Sequence, residues 1–119
     1  MEKMTDTNIS FYLKTNRIHI FVDALRGIGS PKYISFMISD DGSKLIMKPY
    51  DKKDFHSHRV STNVYNGLKR LELSSLPLCN ILSQMFGWDE NETYRVPGKI
   101  MTQQRIIVFS LDEAKKLLR

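Results

Sequence analysis

Residues 16–50 read NRIHIFVDALRGIGSPKYISFMISDDGSKLIMKPY, and the order of side chains in this stretch decides the fold. Arg17 to Val22 alternates polar and apolar side chains and then runs apolar, the pattern of a half-buried strand. Asp23 is placed to cap a brief helix that closes at the Gly27 and Gly29 pair. A hairpin follows at once. Tyr33, Phe36 and Ile38 belong to its first arm and Leu45, Ile46 and Met47 to its second, with Asp40, Asp41, Gly42 and Ser43 supplying the turn chemistry between them.

Arg17, Ile18, Ile20, the acidic Asp23, Arg26, the Gly29 that closes the helix, and the hairpin ending at Ile46, Met47, Lys48 and Pro49 together resemble the AbrB/MazE/SpoVT family of swapped-hairpin DNA-binding domains. The resemblance covers residues 16–50. Two positions depart from the family: Asn16 stands where Gly is usual, and Phe21 where Pro is usual. Pro pre-sets the entry to a helix and Phe does not. The resemblance implies duplex-DNA contact by the basic residues at Arg17 and Arg26. It also implies an intertwined assembly, because one such half cannot bury its hydrophobic hairpin alone.

Outward from this stretch, Ile9 to Leu13 alternates as a strand that pairs antiparallel with the next one through a tight Thr15 and Asn16 connection. Met1 to Asn8 is polar and reads as frayed. Residues 51–67 read as a surface connection, with Lys52, Lys53, His56, His58 and Arg59 among few apolar side chains. Leu68 to Leu73 fits either a strand with Leu71 and Leu73 inward or the start of a helix. Ser74 or Ser75 then caps a helix with Leu78, Ile81, Leu82, Met85 and Phe86 at helical spacing, and Gly87 ends it. Trp88 is placed to pack back on that helix. Thr93 to Val96 reads as a strand, Pro97 and Gly98 as a turn, Lys99 to Met101 as a continuation, and Arg105 to Leu111 as a central strand. Ser110 or Asp112 caps a last short helix bearing Ala114, Leu117 and Leu118 on one face and Lys115, Lys116 and Arg119 near its end.

The two halves, 9–50 and 68–119, share an order of strand, short helix closed by Gly, strand, turn and strand. The fold class expected is therefore α+β within one domain, 1–119: a small barrel of interleaved antiparallel strands with short helices, possible as two pseudo-repeated halves. Such a chain is either a pseudo-dimeric monomer or a homodimer.

At 119 residues the chain can bury roughly two-thirds of its unfolded surface, enough for one independent core. Hydrophobic residues at 41% and charged residues at 26% exclude disordered and collagen-like classes. No apolar run approaches the roughly 20 residues needed to cross a bilayer, and the first residues lack a signal-peptide core, so the expectation is a cytoplasmic protein without membrane association. Cys79 is the single cysteine; its neighbours Leu78, Ile81 and Leu82 mark it as a small buried hydrophobe. The net charge of +5 is unevenly spread. Residues 1–70 hold 12 Lys and Arg against 7 Asp and Glu, and residues 71–119 hold 6 against 6. The excess lies in the half that carries the resemblance, and a positive field of this kind attracts phosphate backbones.

The candidate nucleic-acid contacts are Lys14, Arg17, His19, Arg26, Lys32, Lys44 and Lys48. With Ile18 and Ile20 inward, period-two alternation puts Arg17 and His19 together on the exposed face. His56 and His58 are only two ligands and make no metal site alone. Gly27-Ile28-Gly29 follows a helix rather than preceding one and is a terminator, not a phosphate loop; Asp40-Asp41-Gly42 lacks the later ligands of a calcium loop. No nucleophile, paired carboxylates or cofactor motif appears, so the expectation is a non-enzymatic protein with no cofactor whose partner is duplex DNA. A protein-interaction module on the same fold is the alternative, and an RNA-binding role a weaker third.

Overall fold

The computed structural model describes residues 4–54 and 57–117. Its strands are β1 (Met4–Tyr12), β2 (Arg17–Phe21), β3 (Tyr33–Ile38), β4 (Lys44–Tyr50), β5 (His58–Arg59), β6 (Arg70–Ser74), β7 (Thr93–Met101), β8 (Ile106–Ser110) and β9 (Lys115–Lys116). Two α-helices, α1 (Val22–Gly27) and α2 (Leu76–Phe86), and two 3-10 turns interrupt them. The strands form one antiparallel sheet in the order β5-β3-β4-β8-β7-β1-β2-β6, with β9 added on β7. Nearly equal extents of 33, 32 and 29 Å show that this sheet is rolled rather than flat, a nearly closed barrel with few short helices.

Alternation drives the rolling. Ile9 and Phe11 of β1, Ile18 and Ile20 of β2, Leu45 and Met47 of β4, and Ile107 and Phe109 of β8 are fully buried, while the residues between them take the opposite face, where Ser10 is also covered. The β7–β8 hairpin lies between β4 and β1, so strands late in the chain are interleaved with early ones. β1 runs antiparallel to β7 over nine residue pairs, from Met4 opposite Met101 to Tyr12 opposite Thr93. This corrects the expectation of a frayed start for residues 4–8: an unpaired edge of β7 recruits that polar segment through main-chain bonds that need no apolar side chain.

The hairpin turn is held as its residues demand. The Asp41 carboxylate accepts from the Ser43 amide at 3.0 Å, the Ser39 hydroxyl at 2.7 Å and the Ser43 hydroxyl at 2.8 Å. These bonds lower its carboxyl to about 2. α1 departs from expectation. Phe21, not Asp23, is the cap residue and gives no side-chain bond; Asp23 sits inside the first turn. The Val22 amide donates to the Lys69 carbonyl at 2.9 Å, so a neighbouring backbone satisfies the helix start instead of a side chain.

Ser75 caps α2 and Gly87, at φ 64°, ends it. The helix buries Cys79 and Leu82, with Leu78 and Phe86 partly covered; Ile81 and Met85, expected inward, stay exposed because the helix lays only a narrow stripe on the barrel. Trp88 packs as expected, stacked on Tyr94 with ring centres 4.6 Å apart and touching Phe11 and Phe86.

Three further expectations are corrected. The connection 51–67 is not merely superficial, since it carries β5, paired to Tyr33 and Ile34, and sends Val60 and Val64 into the core. His56 of the His pair lies outside the described residues. Pro97 and Gly98 do not turn; they continue β7. Pro97 falls between the part of β7 paired to β9 and the part paired to β8, where a missing N–H breaks no ladder. A Cβ on Gly98 would lie 2.5 Å from Cδ1 of Phe109, so the ring itself demands glycine. The last helix is a single 3-10 turn, Leu111–Glu113, followed by β9 against Tyr94 and Arg95. Leu118 and Arg119 lie outside the described residues. One isolated turn is too short to sustain a helix, and pairing with β7 wins.

Gly98→Ala should destabilise the protein by about 1–3 kcal/mol in urea unfolding, through overpacking against Phe109; an unchanged midpoint would contradict this packing. Cys79 is buried, and burial pushes its thiol up to about 11. The native protein should therefore resist thiol reagents and react only as it unfolds; rapid stoichiometric labelling in native buffer would show the residue to be accessible.

Candidate nucleic-acid interface

The outer wall formed by β7, β1, β2 and β6 is built by alternation and register. Inward Ile18 and Ile20 on β2, and Leu71 and Leu73 on β6, leave Arg17, His19, Arg70 and Glu72 pointing out. Antiparallel pairing then sets Lys115, Arg95, Ser10, His19 and Glu72 in one row across five strands. In the same wall Tyr12 lies opposite Arg17, and Arg70 opposite Phe21. Arg17, Arg70, Arg95 and Lys115 thus share a surface with His19 and a single acid, Glu72, in its rows.

Glu72 lies on β6, the edge strand of this wall, and ties two of its side chains together. Arg17 Nη1 donates to its Oε2, and its Oε1 lies 2.8 Å from His19 Nε2. Hydrogen bonding from His19, followed by that from Arg17, holds the Glu72 carboxyl below the usual range. His19 packs against the Tyr12 ring at 4.4 Å, and its Nδ1 is buried with no partner among the described residues. The pair with Glu72 therefore fixes both the ring and Arg17.

The other candidate residues are distributed elsewhere. Lys14 is exposed in the β1–β2 turn, beside the end of this wall. Arg26, on α1, donates to Asp23 Oδ1 at 3.2 Å and to the Tyr65 carbonyl at 3.1 Å. Lys32 is exposed before β3. Lys44 and Lys48 face out from β4, four strands from β2 and so on the opposite wall; Lys44 Nζ donates to Ser110 Oγ at 3.1 Å. The structure joins Arg17 to His19, with Lys14 near them, and separates the remaining four.

Sequence reasoning missed Arg70, Arg95 and Lys115. The alternation Arg70, Leu71, Glu72, Leu73 repeats that of Arg17, Ile18, His19, Ile20 and already marks Arg70 as outward on a strand. Nothing in the local sequence says that this strand lies beside β2. Among the described residues no group of three or more His, Cys, Asp or Glu side chains is placed to hold a metal, and no helix is long and apolar enough to cross a membrane. What the wall offers chemically is a clustered positive charge on a rigid sheet. No protein-family model, no curated protein and no solved structure matches this chain.

Proposed function

We propose that this chain is a small non-enzymatic DNA-binding protein, cytoplasmic and transcription-regulatory in the manner of the AbrB/MazE/SpoVT family it resembles, and that the β7-β1-β2-β6 wall docks on duplex DNA. The observation that carries this reading is the gathering of Arg17, Arg70, Arg95 and Lys115 on one surface, where Glu72 is the acid in their rows and Asp6, farther along β1, is matched by Lys99. A rigid sheet holding four cations on one side engages phosphates without first ordering a loop.

In this reading the chain is its own pseudo-dimer. β1-β2-α1-β3-β4 and β5-β6-α2-β7-β8 have the same order, and the pairings are reciprocal: β1 on β7 and β5 on β3, with β2 beside β6 and β4 beside β8. Arg17 and Arg70 open corresponding strands, and the His19–Glu72 pair lies between them. Four residues of strand separate the two arginines, about 13 Å at roughly 3.3 Å per residue. The major groove is about 12 Å wide, so the two suit phosphates on either side of one groove. Lys14, His19 and Arg26 support this docking from the wall and its margin. Lys32, Lys44 and Lys48 add to the long-range field.

A second reading is favoured by α2. That helix carries no charged residue and leaves Leu76, Ile81 and Met85 about half exposed, which suits a protein partner.

Anisotropy titration of a labelled mixed-sequence duplex should show affinity falling steeply with salt. Replacing Arg17 and Arg70 together by Ala should weaken binding and lower the salt slope by about two phosphates' worth, while Lys48→Ala on the opposite wall should change little. Absence of binding at low salt would reject the DNA reading in favour of the α2 surface.

A further inference from the structure

Among the described residues, two arginines of the outer wall have no partner. Arg17 is held by Glu72, Arg26 by Asp23 and Lys99 by Asp6, whereas the guanidinium groups of Arg70 and Arg95 make no hydrogen bond or ion pair with any described residue. Both line one cavity of about 30 Å³, together with Ser10, Tyr12, His19 and Phe21. Two uncompensated cations at one concave spot form an anion site by electrostatics alone.

His19 adds a chemical signature. The ionised Glu72 can only accept, so Nε2 carries hydrogen and donates to it. Nδ1 is left buried without a partner among the described residues. In the neutral ring Nδ1 offers a lone pair, and in the imidazolium an N–H; only the second suits an anion.

We propose that this cavity seats one phosphate group, clasped at its mouth by Arg70 and Arg95, and that His19 takes a proton from solvent at Nδ1 as the group binds. A space of this volume admits one oxygen-sized group, so the phosphate enters by a single oxygen, directly or through one water. The charged and titratable groups around His19 explain the coupling. The charged groups around it are Glu72 on β6, which its Nε2 meets, with Arg17 on β2, Arg70 on β6 and Arg95 on β7, and the Tyr12 ring from β1 covers it. An entering phosphate neutralises these guanidinium groups and supplies the acceptor. The phosphate is a backbone phosphodiester of duplex DNA or a free phosphate; only the first of these sources rests on the DNA reading above.

The test uses the full chain, with the imidazole resonances of His19 followed by NMR and affinities measured by calorimetry. The probes are inorganic phosphate, sulfate as an oxyanion whose own charge is constant, and a mixed-sequence duplex, each at about pH 8 and about pH 5.5 at fixed ionic strength. Binding should perturb His19 and tighten as pH falls, by at most about tenfold per pH unit for one proton. Replacing both exposed arginines, Arg70→Ala with Arg95→Ala, should abolish the response at His19, and His19→Gln should retain binding but lose its pH dependence. A response to the duplex alone assigns the seat to DNA. Response to the small oxyanions alone, without duplex binding, keeps the seat and rejects the DNA reading. Duplex binding that leaves His19 unmoved and survives loss of both arginines overturns the seat and keeps the DNA reading. His19 unmoved by every probe likewise overturns the seat.

Discussion

The register between β2 and β6 is the constraint on which the rest depends. Ile18 opposite Leu73 and Ile20 opposite Leu71 fill one side of the barrel, and the same register puts His19 opposite Glu72 on the other face. A slip of one residue in β6 would send Leu71 and Leu73 outward and bring Arg70 and Glu72 into the core. Burial on the inside therefore determines the surface on the outside. The polar wall needs no stabilisation of its own to be specified.

A second constraint closes the barrel. The β7–β8 hairpin is inserted between β4 and β1, so that β8 pairs with β4 on one side while β7 pairs with β1 on the other. Early and late strands thereby share one core, with Leu45 opposite Phe109 and Met47 opposite Ile107, all four buried. This explains why β1 persists through Thr5, Asp6, Thr7 and Asn8, residues with little apolar side chain to bury: the ladder to β7 is a main-chain matter. It also explains the small residue at Gly98, where the Phe109 ring crosses the β7 backbone.

Electrostatics on the wall follow from the same geometry. Glu72 is shared between Arg17 and His19, which leaves the guanidinium groups of Arg70 and Arg95 without an ion pair among the described residues. The acid at the edge strand orders this basic surface by orienting Arg17 and His19 together. Lysines on the far wall, Lys44 and Lys48, belong to the overall charge but not to this arrangement.

Much was legible in local sequence. The alternation of Arg17 to Val22, the Asp40 to Ser43 turn, the Ser75 and Gly87 limits of α2 and the central position of β8 were all marked by side chains whose preferences act within a few residues. Local signals failed where a distant strand supplied the deciding bonds. Pro97 and Gly98 resemble a turn until β1 and β8 flank them, and Lys115 and Lys116 resemble a helix end until β7 lies alongside. The sequence by itself determined which faces of the strands are apolar, where the hairpin turns, and that Arg17 and His19 point together. Only the tertiary structure decided that β6 lies beside β2 and β7 beside β1, and so that Arg70 and Arg95 join them. Side-chain alternation encodes the face a residue takes, whereas the neighbour it meets is set by strand pairing across more than fifty residues, which no short pattern records.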